Sequence, residues 1–424
     1  MDAYHAAVAR LSSLGNLELP WKHSSAQSLR DSLARLRELL ARLEHPERRM
    51  RFIHVTGTSG KGSVTHLIHE MLLADGRKVG SYMSPHTTTL LERFRVGQKL
   101  LDPKRFVQAT NIVLAAYEAH VREGKQPLTY FELTTCVALV AFVLEGVEWC
   151  VLEVGLGGRW DSTNVIPKKD VAVITTIDLD HTELLGNSLE AITREKAGII
   201  TGRCSVVSGE ARPGIRAIIA REAKTHGADV QWIDAPNDDH RLHNALVATA
   251  AARAVGVPMA AIERAIARST GLPCRCEVMQ KKPLVIVDGA HNVAKMRTTC
   301  RMLGRAAKGK VHVVFGCKDG KDAKAMVAEL AAIADVIHTT RYSTGRGAPK
   351  DPAALLRLVP KSTRGEMFLF SHDALRHALQ SAKSGDTILV TGSLYLAGEV
   401  RTHWVSEKEI LDARSSHGYR SHRV

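Results

Sequence analysis

The stretch that decides the fold is VTGTSGKGSV, residues Val55–Val64. It has the glycines, the lysine and the hydroxyl side chain of a phosphate-binding loop, but Val55 stands where the first glycine of the usual spacing belongs. A strand-like run precedes it and a helical pattern follows it, so backbone N–H groups and a helix N-terminus should face one point and bind an anion there. Lys61 would reach the terminal phosphates, and the Ser63 hydroxyl would ligate Mg²⁺. The alternative is a glycine-rich turn with an exposed lysine.

Strand-like apolar runs alternate with helix-like patterns along most of the chain, which is typical of mostly parallel sheets covered by helices. A first series predicts strands at residues 51–56, 78–83, 147–154, 171–177 and 205–208, and helices at residues 28–43, 64–74, 103–121, 130–144 and 188–200. A second series predicts strands at residues 284–287, 310–315, 336–339, 367–370 and 387–390.

The length favours two domains, because 424 residues exceed what one hydrophobic core usually serves. Between the two series, residues 271–282 carry glycine, proline and charge, which suits a linker. We therefore predict an α/β protein: a P-loop, parallel-sheet ATPase domain over residues 1–270, followed by a smaller Rossmann-like α/β domain over residues 283–424.

The composition argues against a membrane or exported protein. The longest apolar run, residues 136–144, is far shorter than the roughly 20 residues that a membrane span needs. The seven cysteines are odd in number and scattered, and Cys274 and Cys276 lack the spacing of a usual zinc site. We expect reduced thiols and a cytoplasmic location.

The formal net charge of +14 predicts attraction to polyanions. Nucleic acid is not the expected partner, because only 5% of the residues are aromatic and the basic residues form no long block. A small anionic substrate, such as a nucleotide or a polycarboxylate, explains the charge equally well. The basic end, residues 414–423, is expected to be a solvated tail.

Several polar side chains follow predicted strands at their carboxyl ends, where open parallel sheets bind ligands. Ser84 and His86 follow the second predicted strand. Glu153 ends the third, and His181 comes soon after the fourth. These groups and the loop should meet in one crevice. Taken singly, Glu153 could be a buried carboxylate paired with Arg159, and His181 a residue that starts a helix.

The same groups suit divalent cations. Mg²⁺ takes oxygen ligands in near-octahedral geometry, commonly one or two carboxylates together with substrate phosphates. Ser63, Glu153 and nucleotide oxygens form a candidate first site, and His181 would serve a second ion. Two ions can neutralise the charge that develops in phosphoryl transfer.

Seven stretches of the chain stand in the order of a known family: HVTGTSGKGS (His54–Ser63), SPH (Ser84–His86), LEVGLGGRWDSTN (Leu152–Asn164), DLDHTELLG (Asp178–Gly186), REKAGII (Arg194–Ile200), DGAHN (Asp288–Asn292) and GSLYLAGEVR (Gly392–Arg401). They resemble the folylpolyglutamate synthase and dihydrofolate synthase family of the Mur ligase superfamily, collinearly from about Leu11 to Arg401. This superfamily has a shortened loop, G-x-x-G-K-G/T-S/T, which residues 57–63 fit.

The resemblance implies an ATP-dependent amide ligase that adds L-glutamate to a folate, to dihydropteroate or to both. In such a ligase a carboxylate is phosphorylated by ATP and an amine attacks the acyl phosphate. Two Mg²⁺ ions and a monomeric enzyme are implied, with no membrane or nucleic-acid partner. The implied catalytic residues are Lys61, Lys196 and His291.

By position, the resemblance assigns nucleotide contacts to the loop residues Thr58, Ser59, Gly60, Lys61, Gly62 and Ser63. It adds Glu153, His181 and Lys196 as metal ligands, the last as a carbamate that turns a cation into an anion. From the sequence alone, Lys196 would be a solvated lysine near a helix end.

Further contacts are implied from later in the chain. Asn244 in LHNALVA and Arg275 in LPCRCE match positions that touch the nucleotide. Asp288 matches a contact to its ribose or base, and His291 resembles the histidine that reaches the active site from the second domain.

The resemblance also implies residues on the substrate side. Phe131 and Glu132 in TYFEL match positions there, and Ser84, His86 and Arg93 match positions near the pterin or the metal.

Four departures from the family pattern stand out. LERF (Leu91–Phe94) replaces the frequent NERI, which keeps open a Mur-type ligase for a different carboxylate. Cys274 replaces the glycine of the usual PGR, which would strain the backbone if that position needs positive φ. Val293 replaces a proline, with a mild effect expected, and residues 232–243 are short. A non-catalytic nucleotide-binding module is the remaining alternative, disfavoured by the intact set of candidate metal ligands.

Overall fold

The structure is a computed structural model that describes residues 1–14, 26–234, 239–307, 309–343 and 347–418, with backbone alone for residues 26–30, 305 and 306. The chain forms two compact units. The first comprises Met1–His86 and Leu90–Thr270, and the second comprises Thr87–Thr89 and Gly271–Val424. Within the described ranges, no helix is both long and apolar enough to cross a membrane.

The first unit contains an eight-stranded sheet of order β4-β3-β2-β5-β1-β6-β7-β8. Its strands are β1 (Arg51–Thr56), β2 (Val79–Tyr82), β3 (Phe94–Val96), β4 (Lys99–Leu100), β5 (Trp149–Glu153), β6 (Val171–Ile174), β7 (Ser205–Ser208) and β8 (Val230–Trp232). Strands β3 and β4 pair antiparallel at one edge, and the other six strands run parallel. All the carboxyl ends of these six strands therefore lie along one edge of the sheet.

Ten helices belong to the described part of this unit: α1 (Asp2–Leu14), α2 (Ala26–Arg42), α3 (Lys61–Ala74), α4 (Pro103–Arg122), α5 (Tyr130–Leu144), α6 (Thr182–Leu185), α7 (Leu189–Ala197), α8 (Pro213–Thr225), α9 (His240–Ala254) and α10 (Met259–Arg268). Side-chain caps fix several of their starts. Asp102 accepts a hydrogen bond from Lys104 N ahead of Pro103 in α4, and Thr129 and Glu132 form a capping box at α5.

The core of the first unit anchors the phosphate loop from both sides. Ile53 and Val55 of β1 are fully buried, as are Ile68 and Met71 on the inner face of α3. Burying such a side chain contributes roughly 1.5–3 kcal/mol. Helix α9 packs on the same cluster through alanines, which lets it approach α3 closely. The loop is thus held between a rigid strand and a rigid helix.

The second unit contains a six-stranded sheet of order β13-β12-β11-β14-β10-β9. Its strands are β9 (Glu277–Lys281), β10 (Leu284–Val287), β11 (Val311–Phe315), β12 (Val336–Thr339), β13 (Arg364–Met367) and β14 (Thr387–Thr391). Its described helices are α11 (Val293–Ala306), α12 (Ala323–Ala331), α13 (Pro352–Leu356), α14 (Ser371–Ser381), α15 (Leu394–Arg401) and α16 (Glu407–Ala413). Only β9 pairs antiparallel. The predicted α/β class with two parallel-dominated sheets is confirmed.

Two strands of the second sheet differ from the sequence predictions. Part of the stretch predicted as a linker, residues 271–282, forms β9, which pairs with β10 at the edge of the second sheet. The strand predicted at residues 367–370 lies at Arg364–Met367 instead. That edge strand carries arginine, glycine and glutamate, whereas the apolar residues that attracted the prediction, Leu369 and Phe370, are exposed.

The remaining departures are accommodated locally. Val293 begins α11 behind Asn292, whose side chain accepts a hydrogen bond from Lys295 N, so the helix starts without a proline. Of the short stretch 232–243, residues 235–238 lie outside the described part, as do residues 419–423 of the predicted basic tail.

Candidate active site

Two glycines shape the loop between β1 and α3. Gly57 has a φ of 148°, and a Cβ there would lie 1.8 Å from Thr175 Oγ1. Gly60 has a φ of 84°, and a Cβ there would lie 2.4 Å from Asn244 Oδ1. Only glycine fits both positions, because backbone angle and space each exclude a side chain. The second contact also places Asn244 of α9 directly against the loop.

The segment after β6 holds the loop in shape. Thr175 Oγ1 donates to Ser59 O at 2.6 Å, and Thr58 N donates to Thr176 O at 2.6 Å. The Thr58 hydroxyl donates to Asp178 O and accepts from Asp178 N. The Thr58 side chain therefore supports the loop through backbone contacts. Thr175 and Thr176 were not among the predicted site residues, although two hydroxyl residues directly after a buried strand are the available signal.

Two lysines converge on one backbone oxygen of the loop. Lys61 Nζ donates to Gly57 O at 3.0 Å, and Lys196 Nζ donates to the same oxygen at 2.9 Å. Lys196 lies on α7 and only 5% of it is exposed. Two ammonium groups that share an acceptor repel each other, so this point favours an anion. Ser59, Gly62 and Ser63 lie in the same loop or in the first turn of α3.

Glu153 and Ser84 come together at the carboxyl ends of neighbouring strands. Glu153 is the last residue of β5, stands opposite Val55 of β1 and is buried. Its Oε2 accepts a hydrogen bond from Ser84 N at 3.0 Å. Arg159, the partner considered from the sequence, forms an ion pair with Glu222. The Glu153 carboxylate thus faces the edge of the sheet that carries the phosphate loop.

His181 lies at the start of α6 with a φ of 52°, and 42% of its side chain is exposed. Carboxylate oxygens of Asp180 and Glu183 each lie 4.0 Å from one of its ring nitrogens. A hydroxyl, a buried carboxylate and an accessible imidazole suit a hard divalent cation that keeps open positions for phosphate oxygens and water. By donor type, these residues suit the expected ions, with Ser63 and Glu153 for the first ion and His181 for the second.

In the first unit, the side chains of His86 and Arg93 form a hydrogen-bonded pair. Arg93 Nε donates to His86 Nδ1 at 3.0 Å, so the proton of that imidazole is on Nε2. The Arg93 guanidinium also lies 5.7 Å from the ring centre of Tyr130. In the same LERF stretch, Leu91 and Phe94 are buried, so the departure there adds apolar core.

Two substrate-side candidates on α5 differ in their surroundings. The Phe131 ring packs against the loop after β5, since a Cβ on Gly155 would lie 2.6 Å from it. The expectation that Glu132 lies on the substrate side does not match its surroundings. Only 1% of the residue is exposed, and its oxygens accept hydrogen bonds from Arg35, Ser32 Oγ and Thr129 N. This carboxylate anchors the helix start, and its buried ion pair leaves it unsuited to contact a substrate.

In the second unit, Asp288 also has a structural role where a nucleotide contact was expected. Its Oδ1 accepts from Ala290 N and Thr299 Oγ1, and its Oδ2 accepts from Cys276 N and Cys276 Sγ. A carboxylate offers about four lone-pair sites, so these four donors use its capacity. Arg275 is exposed beside this turn, and a Cβ on Gly289 would lie 2.7 Å from its Nη1.

His291 is the other candidate of the second unit. Its Nδ1 faces Gly289 O at 2.8 Å, and its Nε2 faces Lys295 Nζ at 3.1 Å. A carbonyl only accepts hydrogen bonds, so Nδ1 carries the proton and Nε2 accepts from the lysine.

The two sheets and the shortened phosphate loop define a Mur ligase. The sequence matches the Mur ligase middle domain over residues 55–207 and the Mur ligase glutamate ligase domain over residues 274–394. It is 35% identical over 391 residues to the dihydrofolate synthase/folylpolyglutamate synthase of Escherichia coli, covering 86% of this chain and 87% of that protein. It is 31% identical over 423 residues to the Bacillus subtilis protein of that name, covering 90% and 97%.

Solved structures of the same family are also similar to this chain. E. coli FolC in complex with DHPP and ADP has a TM-score of 0.80 at 32% identity, covering 96% of this chain and 98% of that one. A bifunctional folylpolyglutamate synthase/dihydrofolate synthase with Mn, AMPPNP and L-glutamate bound has a TM-score of 0.81 at 31% identity, covering 94% and 97%. This chain belongs to the folylpolyglutamate synthase/dihydrofolate synthase family and is an ATP-dependent acid–amino-acid ligase.

Proposed function

We propose that the enzyme adds L-glutamate to a folate, accepting dihydropteroate, a reduced folate or both as the carboxylate substrate. The observation that carries this proposal is the convergence of Lys61 and Lys196 on Gly57 O, in the loop that follows β1, the strand paired with the Glu153 strand β5. Names and ligands of the relatives supply the substrate class. The alternative of a different carboxylate rests on the LERF departure, but Leu91 is buried in the core and offers no polar group for another substrate.

The reaction solves the problem of a poor leaving group. A carboxylate oxygen attacks the γ-phosphorus of ATP, the bond to the β-phosphate oxygen breaks, and an acyl phosphate and ADP result. The amino group of glutamate then attacks the acyl carbon, the C–N bond forms, and phosphate leaves as the amine loses its proton. Because each step places negative charge near phosphoryl oxygens, positioning and preorganised positive charge account for most of the catalysis.

The loop residues take the phosphate roles in this proposal. Lys61 contacts the terminal phosphates, and the N-terminus of α3, with Gly60, Gly62 and Ser63, faces them. Asn244 of α9 is proposed as a nucleotide contact, and the earlier assignment of Arg275 to a nucleotide contact stays a prediction. Thr58 and Ser59 keep the shape of the loop through their hydrogen bonds with Asp178 and Thr175.

Ser63 and Glu153 are proposed to hold a first Mg²⁺, and His181, with Lys196 as a carbamate, a second. A bound divalent cation would supply charge neutralisation for the transferring phosphoryl group. Carbamylation would also remove the repulsion between Lys196 and Lys61 at Gly57 O. On this account Lys61 keeps its ammonium contact with Gly57 O while Lys196 becomes an anion.

The second substrate region is assigned to Ser84, His86, Arg93 and Phe131. Arg93 and His86 present a paired guanidinium and imidazole, which suit an anionic or hydrogen-bonding substrate group. His291 is proposed as a catalytic residue whose orientation is fixed by Gly289 O. We propose a monomeric enzyme of the cytoplasm, where the seven free thiols stay reduced.

The test of this proposal is an acceptor-dependent assay. Purified protein is incubated with Mg-ATP, L-glutamate and either dihydropteroate, tetrahydrofolate or no acceptor, while ADP release and product mass are followed. We expect ADP release that depends on a pterin, with a product heavier by one glutamyl residue. Absence of acceptor-dependent ADP with both pterins would refute the folate assignment.

The loop assignment is tested by Lys61→Ala in the same assay. We expect turnover to disappear while the circular dichroism spectrum and melting temperature stay close to those of the wild type, because Lys61 is half-buried and lies outside the apolar core. Lys78→Ala, an exposed lysine with a loose contact to Glu148, is the matched control and should retain activity. Retained turnover in Lys61→Ala would mean that the loop is not the phosphate site.

A further inference from the structure

A cluster of two histidines and a glutamate lies in the second unit, on the sheet face that α14 covers. His338 of β12 and Glu366 of β13 are direct partners in the parallel register, so their side chains share one face. His377 reaches them from α14. These residues lie 28 and 11 positions apart in the sequence (366 − 338 and 377 − 366). They form no spacing motif, so only the fold brings them together.

The nitrogen and oxygen atoms of this cluster face one another. His338 Nδ1 and His377 Nε2 each lie 3.0 Å from Glu366 Oε2, and the three atoms lie within 4.8 Å of one another. Among the described residues this is the one group of three such side chains at that spacing. His338 is 1% exposed, and its Nδ1 and Glu366 Oε2 are both buried.

The spacing of these atoms suits a tetrahedral ion. Zinc takes histidine nitrogen and carboxylate oxygen at roughly 2.0–2.2 Å, which separates two ligand atoms by about 3.3 Å. The two distances from Glu366 Oε2, to His338 Nδ1 and to His377 Nε2, are 3.0 Å each and need to widen by only a few tenths of an ångström. Three protein ligands would leave a fourth position for water, and His377 has 42% of its side chain exposed for entry of the ion.

Groups around the cluster hold the ligands in orientation. The other ring nitrogen of His338 faces His312 Nδ1 at 3.4 Å, and the two rings stack with an interplanar angle of 4°. Glu366 Oε1 pairs with Arg364 at 2.8 Å, which leaves Oε2 for the cluster. Outer contacts of this kind are usual around metal-binding histidines.

We propose that His338, Glu366 and His377 form a binding site for Zn²⁺ or a similar first-row divalent metal. Two imidazoles among three protein ligands favour such ions over Mg²⁺, whose ligands are mostly oxygen atoms. The site joins β12 to the edge strand β13 and to α14, so the bound ion stabilises the polar edge of the second sheet. It is independent of the ATP site, which lies on other residues.

The test is metal binding by the full-length enzyme after treatment with a chelator. Zn²⁺ content after equilibrium dialysis is measured by atomic emission, and the visible spectrum of the Co²⁺-loaded protein reports tetrahedral coordination. We expect the wild type to retain one equivalent of Zn²⁺ and to melt at a higher temperature with it. His377→Gln should lose that equivalent and the Zn²⁺-dependent shift in melting temperature, while its Mg-ATP ligase activity shows that it is folded.

Two controls separate this site from others. His372→Gln changes a histidine of the same helix outside the cluster and should bind Zn²⁺ like the wild type. His181→Gln, which alters the proposed ATP-site metal ligand, should also keep the Zn²⁺ equivalent. The proposal is overturned if the wild type retains no Zn²⁺, if His377→Gln binds it as tightly as the wild type, or if His181→Gln abolishes it.

Discussion

Cys274 adopts a backbone angle that normally requires glycine. Its φ is 55°, in the left-handed region, and the side chain is fully buried. Cys276, two residues on, has a φ of 50°. The exposed Arg275 therefore stands between two left-handed residues, and the glycine of the family's usual PGR would adopt the first angle without strain.

Replacing Cys274 by glycine should relieve this strain. We expect Cys274→Gly to be more stable than Cys274→Ala by about 1 kcal/mol, because both variants lose the thiol and only glycine tolerates the angle freely. Urea denaturation of the two variants measures the difference. Equal stability, or a more stable alanine variant, would show that the turn is not strained at this residue.

Lys169 is a buried ammonium donor of the first unit. Its Nζ donates to Asn164 Oδ1 and to Ile199 O, both at 2.6 Å, and 1% of the residue is exposed. These bonds connect the loop after β5 to the end of α7, near Lys196. Burial lowers the pKa of Lys169 from its ordinary 10.5 to about 7.

This shift predicts a pH dependence of stability. Between the two pKa values the unfolded chain binds a proton at Lys169 and the folded chain does not, so stability rises with pH. The slope should approach about 1.4 kcal/mol per pH unit between about pH 8 and 10. Lys169→Met should lack this contribution, whereas the exposed neighbour Lys168→Met should keep it. The free energy of unfolding is measured by urea titration at several pH values across that range. If it changes with pH equally in the wild type and in Lys169→Met, the pKa shift is contradicted.

At the scale of the element, the phosphate loop depends on space as well as on backbone angle. Gly60 and Gly76 have nearly the same φ, 84° and 81°, but a Cβ on Gly76 meets nothing within 4 Å. Alanine should cost about 1 kcal/mol at either position from the angle alone. Gly60→Ala also pushes against Asn244 and should raise the KM for ATP or remove activity, while Gly76→Ala should leave the KM unchanged. Similar kinetics for both variants would rule out a role for the contact.

The sequence predicted whole elements better than it predicted the surroundings of side chains. Buried strands such as β1 and β10 were found at their observed bounds because apolar runs mark them. The edge strand β13 was misplaced because an exposed strand has no apolar signal.

Site residues were harder to predict for a related reason. Lys196 is buried, Glu132 pairs with Arg35, and Asp288 accepts four hydrogen bonds. These features depend on contacts between separate parts of the chain. No local pattern encodes those contacts, so the sequence indicated which side chains matter but not which of them are already engaged.

At the scale of the whole molecule, the net charge of +14 should act on anionic substrates. Added salt shortens the screening length from roughly 10 Å at 0.1 M to about 3 Å at 1 M. We expect kcat/KM for ATP to fall several-fold over that range, since the long-range attraction is lost. An uncharged osmolyte at equal osmolality is the control and should have a much smaller effect. A kcat/KM that is insensitive to salt would show that the charge serves another purpose.

The second unit is discontinuous in the chain, because Thr87–Thr89 belongs to it although its neighbours on both sides belong to the first unit. Thr87 O lies so close to Gly398 of α15 that a Cβ there would be 2.1 Å away. During synthesis on a ribosome this short segment emerges well before Gly271. At about 5–20 residues per second it waits on the order of 10 s or more for the rest of its unit. The second unit therefore cannot complete its folding from its own carboxyl-terminal stretch, and a gene fragment starting at Gly271 would encode an incomplete unit.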